Sequence, residues 1–337
     1  MLNFAIIGFG GLGKTHFRNV AKVTEKVGDI KLVALCDIEE KAFHVQTNTN
    51  VTTEKTELDL SMYHLYTDVE EMLDNEKLDF VITALPTYIH EKVGVMVMER
   101  GIHLFSEKPM ALTVEQAENM LKTARKNNVK LMIGQCVRYN PRMAALKELI
   151  DSKKYGEVVR AAFHRLSPMI TWSWQNWYLD EAKSGGAALD LHVHDVDFIN
   201  YIMGMPKAVT SVATNGKTKH DYISTIYHYD GQLISAESGW EMPKGYPFSR
   251  GYTVKLETAA VVLSGNDVKL YPDGEKPVVI EIPDKDEYVE EMIDFIHCIR
   301  TGEESKINPP EESLKSLRIA LAEKISADTG MTIALEI

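Results

Sequence analysis

Apolar residues recur along this chain in two rhythms, and the change falls near its middle. In the first 133 residues, short apolar runs alternate with stretches whose apolar positions lie three or four apart. The runs Asn3–Ile7, Lys31–Cys36, 79–85 (DFVITAL), 102–105 (IHLF) and 129–134 (VKLMIG) predict buried strands. Leu12–Val23 carries Leu12, Phe17, Val20 and Ala21 at helical spacing, and Glu91–Arg100 reads as a helix closed by Gly101. Thr67-Asp68-Val69-Glu70 and Thr113-Val114-Glu115-Gln116 have the spacing of capping boxes and predict two more helices, the second with Ala117, Leu121 and Ala124 on one face. Strand–helix units repeated in this way imply a parallel sheet with helices on both faces, a doubly wound α/β domain over residues 1–133.

The second half, 134–337, reads as an α+β domain. A helix begins at Asn140-Pro141, and then strand runs dominate: 157–164, 208–214, 223–229, 232–238, 252–257, 259–264 and 277–282. Several alternate with period two, as half-buried antiparallel strands do, and Asp230-Gly231 marks a hairpin turn. Two helices close the chain. One has Tyr288, Met292, Phe295 and Ile299 on a stripe; the other has Leu314, Leu317, Leu321 and Ile325, entered after Pro309-Pro310. The final helix is expected to pack back near the first domain. The polar segment 44–62 reads as a helix end plus a surface loop.

Composition narrows the function classes. At 337 residues, with 45% hydrophobic and 26% charged residues, the chain has material for about two globular domains. Its net charge of −12 argues against nucleic acid or an anionic membrane as partner, both being polyanions. No uncharged apolar run approaches the roughly 20 residues of a membrane helix, and the first residues lack the basic region of a signal peptide. The three cysteines, Cys36, Cys136 and Cys298, lie far apart, as buried thiols in a reducing cytosol do. A cytoplasmic protein is the expectation.

The chain opens on a glycine motif, AIIGFGGLGKTHF. Gly8, Gly10 and Gly13 form G-x-G-x-x-G between a strand and a helix. Gly8 permits the tight turn, Gly10 lets a pyrophosphate approach, and Gly13 lets the helix pack close to the sheet. The loop Gly8, Gly10, Gly11, Leu12 and Gly13 then faces phosphates with the unpaired N–H groups of a helix start. Asp37 ends the next strand, where a carboxylate can accept from the ribose diol. Ile38, Glu39 and Glu40 follow, with no Arg or Ser to hold a 2′-phosphate, which favours NAD over NADP. A solvated helix cap at Asp37 is compatible with the same residue.

Two further stretches carry chemistry. Glu107-Lys108-Pro109 directly follows a predicted strand, and ligands of open parallel sheets bind outside the carboxyl ends of their strands. Residues 185–199, GGAALDLHVHDVDFI, pack Asp190, His192, His194, Asp195 and Asp197 into eight positions. A helix from about Ala188 would put Asp190, His194 and Asp197 on one face. His192 and His194 as metal ligands are disfavoured, because alternate residues diverge by about 200° on a helix; no metal is expected. A satisfied polar helix face is the remaining alternative, favoured for Asp195.

GxGxxG at the start, Glu-Lys-Pro near residue 108 and Gly-Gly-x-x-Leu-Asp-x-x-x-His at 185–194 together resemble the Gfo/Idh/MocA oxidoreductase family over nearly the whole chain. LPTYIH (85–90) is similar to its cofactor loop, GQCVRYNP (134–141) to its domain-joining segment and GMTIAL (330–335) to its close. The resemblance implies a Rossmann domain followed by a domain built on a large open, mostly antiparallel sheet, with a homodimer or homotetramer formed through that sheet. It implies cofactor contacts from Leu85, Pro86, Thr87, His90, Glu107, Lys108 and Gln135, a cis bond before Pro109, and a catalytic set of Lys108, Asp190 and His194. On that reading His194 takes the proton of a secondary alcohol, Asp190 holds the imidazole, and Lys108 steadies the alkoxide while NAD accepts the hydride. His192 stands where the family often has glycine, and could enter the substrate pocket or point into the core.

Trp172 and Trp174 offer aromatic faces to a sugar or cyclitol ring, and Arg138 a cationic contact, so these join Lys108, Asp190, His192 and His194 as substrate candidates. An Arg–carboxylate pair is the alternative for Arg138. The leading expectation is an NAD-dependent dehydrogenase acting on CH–OH of a sugar, cyclitol or glycoside. The alternatives are a lyase or glycosidase working through transient oxidation, and a non-catalytic dinucleotide-binding regulator.

Overall fold

The computed structural model describes residues 1–45, 58–171 and 173–335. Most of the polar stretch 44–62 therefore lies outside the described residues, as does Trp172. The chain divides into two units, one of Met1–Gln135, Trp172–Gln175 and Tyr288–Glu311, the other of Cys136–Thr171, Asn176–Glu287 and Glu312–Ile337.

The first unit contains β1 (Leu2–Ile7), α1 (Gly11–Val27), β2 (Ile30–Cys36), β3 (His64–Tyr66), α2 (Val69–Asn75), β4 (Phe80–Thr83), α3 (His90–Glu99), β5 (His103–Glu107), α4 (Val114–Lys126) and β6 (Leu131–Gly134). All strand pairs are parallel, in the order β3-β2-β1-β4-β5-β6. That order reverses between β1 and β4, the switch point where doubly wound sheets take their ligands. β1, β4 and β6 are largely buried, which is why they read as continuous apolar runs, whereas the short β3 is mostly exposed and did not. Thr113 and Gln116 form the expected capping box on α4, whereas α2 is capped one residue later than expected, by Asp68 accepting from Glu71 N.

The second unit contains α5 (Pro141–Asp151), β7 (Val158–Pro168), α6 (Glu181–Ser184), α7 (Gly186–Asp190), α8 (Val193–Met203), β8 (Ala208–Thr214), β9 (Tyr222–His228), β10 (Leu233–Met242), β11 (Ser249–Leu256), β12 (Ala259–Ser264), β13 (Asp267–Pro272), β14 (Val278–Ile280) and β15 (Ile333–Ala334). They form a nine-stranded sheet in the order β14-β13-β12-β11-β7-β10-β9-β8-β15. Its pairs are antiparallel except β7 with β10. β13 and β15 were not legible from the apolar pattern; β15 is two residues long.

The closing helices, α9 (Glu287–Thr301) and α10 (Pro310–Thr329), are divided between the units. The penultimate one, rather than the last, packs into the first unit. Val289, Met292, Phe295 and Ile296 join the core of Phe4, Phe80 and Phe105, and the Phe295 ring meets Phe80 edge-on at 5.8 Å. Its apolar stripe covers the sheet as a Rossmann helix would.

Candidate active site

In the first unit the predicted cofactor residues collect at the carboxyl ends of the strands. Gly8 follows β1 with φ of +89°, and a Cβ there would meet the Ala84 carbonyl oxygen at 2.3 Å. A Cβ on Gly13 would meet the Gly8 carbonyl oxygen at 1.9 Å, so α1 approaches its own loop too closely for any side chain. A Cβ on Gly10 would meet nothing within 4 Å. The turn is thus closed toward the protein and open on the side of α1's first N–H groups, and no side chain caps that helix at Gly10. This shape fits a pyrophosphate. Gly13→Ala is expected to weaken NAD binding at least tenfold by titration calorimetry, because α1 has to move off the loop.

Asp37 stands at the end of β2. Its Oδ2 accepts from Phe9 N at 2.7 Å and its Oδ1 from Glu39 N at 2.9 Å, bonds that orient the carboxylate and leave lone pairs for a ribose diol. Lys14, on the first turn of α1, is buried; burial pushes its pKa down to about 8, against the charge of Asp37. Leu85, Pro86 and Thr87 follow β4, Glu107 and Lys108 end β5, and Gln135 follows β6, so the expected cofactor residues share one edge of the sheet. The Lys108–Pro109 peptide is cis. Lys108 is half-buried.

His90 departs from its expected role. The ring is 1% exposed, with Nδ1 2.8 Å from the Pro109 carbonyl oxygen and Nε2 2.8 Å from that of Leu85. Both nitrogens are engaged by main-chain carbonyls, which leaves neither for a cofactor. His16, which the sequence reading missed, places Nε2 2.7 Å from Glu107 Oε1 with both side chains buried. Its position three residues after Gly13 hinted at the buried face of α1; nothing local pointed to a partner 91 residues away.

In the second unit the acid- and imidazole-rich stretch is two helices, not the continuous one expected from Ala188. Gly185 and Gly186 take φ of +78° and +75°. α7 ends at Asp190 and α8 begins at Val193, so Asp190 and His194 stand on two helices separated by Leu191 and His192 rather than on one helix face. Ala187 beside the glycine pair packs under the fully buried Trp240.

Three of the five polar side chains here are structural anchors. Asp195 takes two bonds from Arg165, at 2.9 and 3.0 Å. Asp197 takes two from Arg138, at 2.7 and 2.8 Å, and one from Ser316 Oγ at 2.8 Å. Arg138 is therefore an internal ion-pair partner rather than the substrate contact expected of it, and Asp197 raises its pKa against the opposing effect of burial. His192 points into the core and not toward a substrate: it is fully buried, with Nδ1 2.8 Å from Ser238 Oγ and Nε2 3.3 Å from Tyr227 Oη and 3.4 Å from Glu323 Oε2. Asp190 is buried, and His194, at the first turn of α8, is the half-exposed histidine of the pair. Among the described residues no group of three or more His, Cys, Asp or Glu could hold a metal ion.

Trp174 was expected beside a substrate, but its indole N–H donates to Glu39 Oε1 at 3.0 Å, two residues beyond Asp37. That bond lowers the Glu39 pKa. The tryptophan stands beside the segment that follows β2 in the first unit, a placement that no spacing in the sequence announced.

Comparison with known proteins agrees with this architecture. A family model described as an oxidoreductase family with an NAD-binding Rossmann fold matches residues 2–135, and one described as a GFO/IDH/MocA C-terminal domain matches 143–262. The myo-inositol 2-dehydrogenase of Thermotoga maritima is 22% identical, with 99% of each chain covered. The 2,7-anhydro-N-acetylneuraminate hydratase of Mediterraneibacter gnavus is 27% identical over 65% of this chain and 54% of its own. The solved structure of levoglucosan dehydrogenase in complex with NADH and levoglucosan superposes with a TM-score of 0.84 at 18% identity, covering 100% of both chains. With both halves matched by the models of one family, and the glycine cradle formed as dinucleotide binding requires, the chain belongs to the Gfo/Idh/MocA oxidoreductases and is an NAD-binding enzyme.

Proposed function

We propose that this protein transfers a hydride between NAD and a secondary alcohol of a sugar, cyclitol or glycoside, with Lys108, Asp190 and His194 as the reacting side chains. The observation that carries the reading is the division of labour in 190–197. His192, Asp195 and Asp197 are spent on buried partners, while His194 is half-exposed at the start of a helix those anchors hold. NAD, when bound, supplies the hydride acceptor that no side chain can be. His194 accepts the hydroxyl proton, Asp190 orients and steadies the imidazolium that results, and Lys108 donates to the alkoxide oxygen as its charge develops. The reverse sequence reduces a ketone. Neutral polyols suit a donor set that carries one lysine and no basic cluster.

Purified protein with NAD and a panel of inositols, hexoses, pentoses, uronic acids and glycosides tests this through absorbance of the reduced nicotinamide. Sustained turnover on a polyol is the expected result. Failure to bind NAD would overturn it. The hydratase among the relatives favours a second reading, in which oxidation is transient. That reading predicts a substrate consumed without net reduction of added NAD.

We also infer that the protein is a homodimer or homotetramer through its nine-stranded sheet. Val212, Ile226 and Leu233 are 67%, 46% and 54% exposed, and the strand register puts them on one face. Light scattering should give a dimer or tetramer mass, and Val212→Lys with Ile226→Lys a smaller species. A wild-type monomer at micromolar concentration rules the interface out.

A further inference from the structure

We propose that His16 and His90 are positioning residues that bracket Lys108, each anchoring one of its two chain neighbours from a different helix. This deepens the reading above and rests on Lys108 being the reacting lysine.

On one side stands Glu107. Its Oε1 lies 2.7 Å from His16 Nε2, and its Oε2 accepts the Lys108 backbone N–H at 3.2 Å. Gly134 gives the carboxylate room: a Cβ there would come within 3.0 Å of Oε2 and 3.3 Å of Oε1. His16 in turn sits edge-on to Phe105 and Tyr288, at 5.6 and 6.0 Å between ring centroids. The residue before the lysine is thus tied to α1, the helix that opens on the glycine loop.

On the other side stands Pro109, whose carbonyl oxygen is held by His90 Nδ1, while His90 Nε2 holds the Leu85 carbonyl after β4. Leu85 itself borders Gly8, since its Cδ2 would lie 3.1 Å from a Cβ at that glycine. One imidazole therefore links the lysine loop to the loop beside the phosphate cradle.

Both acceptors of His90 are carbonyls, which cannot donate. A neutral imidazole has one N–H and would turn a lone pair on the second oxygen at 2.8 Å. Both bonds exist together when both nitrogens carry protons. Burial opposes that charged form and lowers the His90 pKa, while the Leu85 and Pro109 carbonyls and the charge of Glu107 favour it and Lys108 disfavours it. Glu91, the next residue on α3, is engaged by Asn119 Nδ2 on α4 at 2.7 Å. That net lowering puts the loss of the second proton below the usual imidazole range, so the doubly bonded bracket belongs to the acid side and one of the two bonds remains at neutral pH.

A lysine displaced by about 1 Å can lose a hundredfold in rate while binding is retained. His90→Gln and His16→Gln are therefore expected to lower kcat 10- to 100-fold with the Kd for NAD within about threefold. In 15N-histidine-labelled wild-type enzyme with NAD, His90 should show one protonated and one unprotonated ring nitrogen at neutral pH and take up its second proton only below the usual imidazole range. A lower melting temperature with unchanged kcat and pH profile would reduce the histidines to structural supports and overturn the proposal. So would a His90 ring whose nitrogen shifts titrate like those of a free imidazole, since a buried ring held between two carbonyls cannot. Lys108→Ala, run in parallel, separates the two failures. If it turns over like wild type, the reading of the lysine falls, while the nitrogen spectra still judge the bracket.

Discussion

Replacing His194 with alanine should lower kcat by about 10²- to 10⁴-fold, the usual range for a general base, while NAD binding stays intact. The reaction needs a proton to leave oxygen as hydride leaves carbon, and imidazole is the neutral-pH side chain suited to take it. On the proposed reading, restraints on its neighbours position His194 for that work. Val193 and Val196 are buried beside it, and Asp195 is locked to Arg165 by two bonds. The substitution therefore removes the imidazole from a helix that stays in place, and stability should change by less than about 1 kcal/mol, as for an incompletely buried side chain. The check is steady-state kinetics on the best substrate of the polyol panel, alongside calorimetric NAD binding. His194→Gln should be no better than alanine, because an amide does not accept a proton at neutral pH. An alanine variant within tenfold of wild type would remove His194 from the mechanism.

Arg138→Met should cost about 3–5 kcal/mol of stability. Arg138 and Asp197 have side-chain exposures of 1% and 0%. The guanidinium makes two bonds to the carboxylate and lies 4.7 Å over the Tyr201 ring. Removing it leaves a carboxylate sealed from water with the Ser316 hydroxyl as its remaining donor among the bonds described here. The cost is that of the uncompensated charge, more than of the lost bonds. Removing both partners together, as Arg138→Met with Asp197→Leu, should recover much of the loss. Urea unfolding followed by fluorescence measures both variants, and a single variant within 1 kcal/mol of wild type would show that the site relaxes or admits water.

How much of this was legible beforehand differs between the two halves. Five of the first unit's six strands read directly because a parallel sheet buries both their faces; β3, three residues long and mostly exposed, did not. The glycine loop was equally plain, since Gly8 and Gly13 answer to contacts within about five residues or with the adjacent strand, and only glycine meets them. In the second unit, β13 carries charge on its exposed face and β15 is too short to show a period. The break at Leu191 and His192 was invisible, because counting positions along a helix assumes that the helix continues.

By itself, then, the sequence determined the two rhythms and the two sheet types they imply, the phosphate cradle with its acid at Asp37, and the placing of Glu107-Lys108-Pro109 after a strand. These are local properties, set by side-chain periodicity and by backbone conformations that few residues adopt. Tertiary structure alone decided which polar side chains pair with one another. Arg138 finds Asp197 59 residues away, Arg165 finds Asp195 30 away, His16 finds Glu107 91 away, and Trp174 finds Glu39 135 away. A buried charge must be paired, but the partner is chosen by the packing of the folded chain, and no spacing along the chain encodes it.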